Sequence, residues 1–188
     1  MSITRQPTAA GDVASPVEVK VWDPFVRSFH WSLVGLFVLA FATGEQMEGV
    51  HIAVGYLIAT LVAARVVWGA VGPHHARFEN FVRHPSEMIA NLRDVILLRA
   101  PRYLGHSPAG SAMIIALIIM TASTCMTGYM ATTYAFRGAE WVEEIHEACA
   151  HAMIALVVLH VIGVLIVSYA HRESLVKAMI TGWKRKQD

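Results

Sequence analysis

Apolar residues fall into four long blocks, approximately Pro24 to Thr43, Glu48 to Ala70, Ala109 to Ala131 and Val142 to Ala170, separated by polar, charged or proline-bearing stretches. At about 1.5 Å per helical residue, each can cross a hydrocarbon core of about 30 Å. A soluble four-helix bundle would keep a polar stripe on every helix, and Ala112 to Met120 and Ala152 to Leu159 carry almost none. The pattern predicts an all-α integral membrane protein, a bundle of four transmembrane helices. Asp23 before Pro24 supplies an N-cap and a first-turn proline for the first helix. GEQMEG turns the chain into the second.

The blocks divide the chain into a tail (residues 1–20), a membrane domain (21–172) and a basic C-terminal segment (173–188). The tail lacks periodicity and is expected to be disordered or to rest on a partner. The loop between the second and third blocks is too long for a turn. Within it, Pro85 to Arg99 places Met88, Ile89, Leu92, Val95 and Ile96 on one face, with Asn91, Arg93 and Asp94 elsewhere. That is the pattern of an amphipathic helix lying in a membrane surface. HRESLVKAMITGWKRK is a second basic amphipathic segment, suited to an anionic leaflet. The third block has neither histidine nor charge and is assigned to packing.

The formal net charge is only +1, so placement matters more than total. Arg5, Lys20 and Arg27 flank the first block's start; Arg77, Arg83, Arg93, Arg99 and Arg102 occupy the second loop; Arg172, Lys177, Lys184, Arg185 and Lys186 follow the fourth block. The turn around Glu45 and Glu48 has no basic residue, and the third loop has Arg137 among Glu140, Glu143 and Glu144. The positive-inside rule then puts both termini in the cytoplasm, and the membrane is expected to be a bacterial inner membrane. Trp22, Trp31, Trp68 and Trp183 fall near the inner boundary, and Tyr129, Tyr134 and Trp141 near the outer one. The first block is too long for a signal-peptide core and is expected to serve as an uncleaved anchor. Cys125 and Cys149 are the two cysteines, read as buried thiols. A nucleic-acid partner is not expected.

Candidate chemistry lies in the histidines. An imidazole inside a membrane segment is costly enough to suggest a role, although hydrogen bonding to a neighbouring helix or snorkelling to the interface is the alternative. His146 and His160 stand 14 residues apart, roughly 21 Å along one helix and about 40° from alignment. Such a helix can offer one axial ligand to each of two stacked haems. His30 lies at the depth of His160 and His51 at the depth of His146, which predicts the iron-ligand pairs His30/His160 and His51/His146. Six-coordinate iron leaves no open position for oxygen and suits electron transfer.

Other residues sharpen this reading. HEACAH is not a zinc-protease motif, because its histidines are five apart and point about 140° away from each other, whereas the motif needs a spacing of four. His151 lies half a revolution from His160 and is assigned to lipid or the third helix. Arg65 repeats the 14-residue interval from His51, near the level of His30, where a guanidinium can pair with a haem propionate; snorkelling is the alternative. Gly55 and Gly163, close in sequence to His51 and His160, would let a flat macrocycle approach the backbone, and helix-packing glycines would look the same. His74, His75, His84 and His106 in the second loop are read as surface residues.

WDPFVRSFHW, HIAVGY, RVVWGAVGPHHARFENFVRHP, YLGHSPAGSAM, EEIHE with a histidine 14 residues later in LHVIGV, and HRESLVKAMITGWK together resemble the prokaryotic cytochrome b561 family, which includes the b-type cytochrome subunits of nickel–iron hydrogenases. The resemblance covers most of the chain after Lys20. It implies two haem b groups, with the family's ligand positions falling on His30, His51, His146 and His160, and electron exchange between a periplasmic redox partner and quinone. That partner is expected to be a hydrogenase or other dehydrogenase, or a c-type cytochrome drawn to Glu140, Glu143 and Glu144. The competing functions are a free-standing oxidoreductase passing electrons from superoxide or another small reductant to quinone, and a haem-free scaffold or metal carrier.

Overall fold

The computed structural model describes residues 18–44, 46–74 and 76–186. The expectations placed on the tail before residue 18, on Glu45 and on His75 lie outside the described residues. The elements in chain order are β1 (Glu18–Lys20), α1 (Pro24–Thr43), α2 (Glu48–Val71), α3 (Phe78–Phe81), α4 (Pro85–Ile96), α5 (Pro108–Thr132), α6 (Glu140–Ala170), α7 (Leu175–Thr181) and β2 (Trp183–Arg185). Four of the helices, α1, α2, α5 and α6, are long and apolar enough to span a membrane.

Local chemistry sets their starts. Asp23 Oδ1 accepts from the backbone N–H groups of Phe25 (2.9 Å) and Val26 (3.1 Å), while Pro24 gives up a donor the first turn does not use. Ser107 Oγ, ahead of Pro108, does the same for Gly110 N–H at 3.1 Å. The helices then run up and down. One end of the bundle, here the terminal end, carries β1, β2, α3, α4 and α7; the other, the hairpin end, carries the α1–α2 turn and the α5–α6 connection.

Packing follows chain order: α1 on α2, α2 on α5, and α5 on α6. The core is centred on α2, where Val54, Ile58 and Val62 share a face one turn apart and meet Leu33, Leu36 and Ala40 of α1 and Ile118 and Cys125 of α5. The outer surface is apolar, with Val38, Phe41, Leu57, Val67, Ile119 and Leu165 more than half exposed. Surface of that kind suits lipid.

The terminal end adds contacts between the expected elements and changes one expectation, that for His106. β1 pairs antiparallel with β2, Glu18 opposite Arg185 and Lys20 opposite Trp183. Gly182, at φ 90°, makes the turn into β2, and its carbonyl accepts from Val21 and Trp22. The amphipathic helix α4 forms as expected, with Asn91 its buried residue and Ile89, Leu92 and Ile96 facing outwards. His106 is a packing residue rather than a surface one, its ring between Trp22 (4.6 Å) and Phe81 (4.5 Å). Cys125 and Cys149 are free and only half-buried.

Candidate functional site

The structure brings four of the predicted histidines together in two pairs. The His30 and His160 rings have centroids 6.5 Å apart, inclined at 54°. Those of His51 and His146 are 6.0 Å apart and nearly perpendicular, at 89°. Helix α6 supplies one member of each pair, and 14 residues of helix separate the pairs by roughly 21 Å. With metal–imidazole bonds of about 2 Å, two rings on opposite sides of one metal have centroids about 6 Å apart. Both pairs therefore fit an iron held axially between them.

Hydrogen bonds fix the tautomer of two rings. Ala40 C=O lies 2.9 Å from His51 Nδ1, and Thr124 C=O lies 3.0 Å from His146 Nδ1. A carbonyl only accepts, so each Nδ1 carries the proton and each Nε2 keeps its lone pair for a metal. Thr127 Oγ1 stands 3.1 Å from His146 Nδ1. In the other pair, His30 Nδ1 is buried without a hydrogen-bond partner, and the Trp31 ring meets the His30 imidazole edge-on at 5.1 Å.

The remaining predicted residues are placed as follows. Arg65 is buried, at 3% exposure, so its side chain does not snorkel to the surface. Its Nη2 donates to Ala76 C=O at 3.2 Å, its guanidinium lies over the Phe78 ring at 5.0 Å, and its Nη1 is buried without a partner. A buried guanidinium with a free donor fits a carboxylate-bearing ligand. A Cβ built on Gly55 or Gly163 meets nothing within 4 Å, which leaves both backbones open on that flank. His151 is exposed, 4.0 Å from Glu147 one turn away, and belongs to neither pair.

Helix α5 was expected only to pack, and it does more. Its Thr124 and Thr127 hold the His146 ring, and a Cβ on Gly128 would come within 2.9 Å of His146 Cε1. The available signal was a polar, small-residue run, TASTCMTG, directly after the large apolar run MIIALIIM.

Comparison with known proteins gives the chain a family. Residues 21–182 match the family described as prokaryotic cytochrome b561. The chain is 24% identical to the probable Ni/Fe-hydrogenase B-type cytochrome subunit of Azotobacter chroococcum, over 94% of this chain and 92% of that protein. It is likewise 24% identical to the protein of the same description from Cupriavidus necator, over 96% and 94%. The Bradyrhizobium diazoefficiens protein is 23% identical over 90% and 87%. No solved structure matches the chain. Membrane electron transfer by way of b-type haem is the activity this family carries, and the chain belongs to the prokaryotic cytochrome b561 family.

Proposed function

We propose that the chain is a two-haem transmembrane electron carrier linking a periplasmic redox protein to the quinone pool. The observation that carries this reading is the double histidine pairing, with ring centroids 6.5 Å and 6.0 Å apart and α6 common to both. Haem b, when bound, supplies a one-electron centre; the protein supplies position and surroundings. His30 and His160 would hold one group, His51 and His146 the other. Arg65 would use its free Nη1 on a propionate, and Gly55 and Gly163 would give the rings room. With two axial imidazoles per iron, neither site would bind oxygen.

Orientation and partners follow from charge. The lysine and arginine excess at the terminal end supports a cytoplasmic position for both termini, in a bacterial inner membrane. Glu140, Glu143, Glu144 and Glu147 stand exposed at the hairpin end and would face a periplasmic partner. The relatives named for Ni/Fe-hydrogenase support a hydrogenase in that place; the acidic patch also suits a basic c-type cytochrome. At the terminal end, a cavity of about 460 Å³ lined by Pro24, Arg27, Ser28, Trp31 and Ile180 lies beside His30 through Trp31, and is the candidate quinone position.

Protein purified from haem-replete cells should show a Soret band and two haems per chain. His30→Ala and His160→Ala should each remove the same haem, and His51→Ala and His146→Ala the other. Loss of the outer haem in His151→Ala with retention in His146→Ala would overturn the assignment. Substantial turnover of a small reductant with quinone by the isolated chain would replace the partner-dependent carrier with a free-standing oxidoreductase.

A further inference from the structure

The two histidine pairs differ in what holds them. His146 Nδ1 has two acceptors, Thr124 C=O at 3.0 Å and Thr127 Oγ1 at 3.1 Å. The Thr127 hydroxyl has a single proton, and Ser123 C=O (3.1 Å) and Thr124 C=O (3.0 Å) are there to take it. Its lone pair therefore faces Nδ1–H. His51 Nδ1–H has Ala40 C=O at 2.9 Å, whereas His30 Nδ1 is buried with no partner.

We propose that Thr127 is a positioning residue for His146 and that, together with the Thr124 carbonyl, it makes the hairpin-end site the lower in potential of the two. The proposal rests on the bis-histidine reading above. Accepting a hydrogen bond from Nδ1–H raises the basicity of Nε2, and a more basic axial ligand favours ferric over ferrous iron. Local charge acts in the same direction. Exposed Glu140, Glu143, Glu144 and Glu147 surround the start of α6, whereas buried Arg65 lies toward the terminal end. Negative surroundings lower a reduction potential and positive ones raise it. With haem held at both sites, one electron would pass downhill from the hairpin-end site, which would be oxidised, to the terminal-end site, which would be reduced. The proton on His146 Nδ1 stays in place throughout.

An anaerobic optical redox titration of the purified full chain tests this. Wild-type protein should titrate in two waves. Thr127→Val should raise the lower wave and leave the higher one in place, changing the reduced-to-oxidised ratio of that haem at fixed poise by up to about tenfold, or 59 mV for a one-electron couple. Thr127→Ser, which keeps the hydroxyl, should restore the wild-type value. The low-spin electron paramagnetic resonance signal of one haem should shift in Thr127→Val and return in Thr127→Ser, an independent readout of ring orientation. A lower wave that does not move, a shift confined to the higher wave, or a serine variant that behaves like valine would overturn the proposal. Fewer than two haems per chain in wild type would instead overturn the bis-histidine reading itself.

Discussion

The His146 ring has hydrogen-bond acceptors on one edge and the bare backbone of Gly128 against Cε1, so its position is set by three residues of a single neighbouring helix. A methyl group at Gly128 would enter the ring's space at 2.9 Å, and overpacking of this kind costs about 1–3 kcal/mol when the neighbour has to move. Gly128→Ala should therefore loosen the hairpin-end haem and leave the other, lowering haem content towards about half, as a pyridine haemochrome assay against protein mass would read. Gly35→Ala is the control, because a Cβ there meets nothing within 4 Å. Unchanged haem in both variants would mean that the ring tolerates displacement. At this scale the sequence showed the histidines and not their supports. Imidazoles within membrane helices stand out by their cost, and their depths follow from helical rise. The partner of Nδ1 is a backbone carbonyl in each hairpin-end ring, and carbonyls carry no residue signature.

Among the elements, the four spans were legible because a bilayer demands about 20 apolar residues per crossing, and each observed boundary falls within two residues of its predicted one. The outward face of α4 was legible too, and what was not legible is the contact made by its polar face. In a soluble helix the apolar face turns inward, whereas here Ile89 and Ile96 point outwards and a polar residue faces the protein, the orientation that suits a helix lying in a membrane surface. That residue, Asn91, accepts from Ala109 N–H at 3.2 Å and so satisfies a first-turn donor of α5. Asn91→Leu keeps the branched outline and the number of side-chain heavy atoms and removes the acceptor. Leaving a buried donor unsatisfied costs about 1–3 kcal/mol, which should appear as a lower thermal midpoint in detergent. Ile89→Ala, on the outward face, should leave that midpoint nearly unchanged. An Asn91→Leu midpoint equal to wild type would show that water replaces the bond.

Across the whole molecule, β1 and β2 are tied to each other and to the second loop, which three-residue strands without a local sequence signal could not announce. The tie centres on Glu173. Arg102 grips its carboxylate with two bonds, at 3.1 and 2.8 Å; Lys184 Nζ stands 3.8 Å away; and the backbone N–H of Arg185, the last residue of β2, donates at 3.2 Å. Lys184 also donates to Tyr103 C=O at 2.9 Å, so β2, the second loop and the end of α6 converge on one carboxylate. Burial alone would raise the Glu173 carboxyl, but the Arg102 hydrogen bond and the charges of Lys184 and Arg102 outweigh it and hold the group below its ordinary value. A depressed folded-state pKa stabilises above the unfolded value of about 4.3, and the contribution is lost as pH falls through the lower folded value. Glu173→Gln would take the carboxylate's charge away from the buried Lys184, and breaking a buried pair by removing one partner costs about 3–5 kcal/mol. The variant should therefore unfold at a lower temperature at neutral pH. Below about pH 4, the wild-type midpoint should fall towards that of the variant, whose own midpoint should change less over the same range. Parallel acid limbs in the two proteins would place the acid sensitivity elsewhere and leave Glu173 as one contact among many.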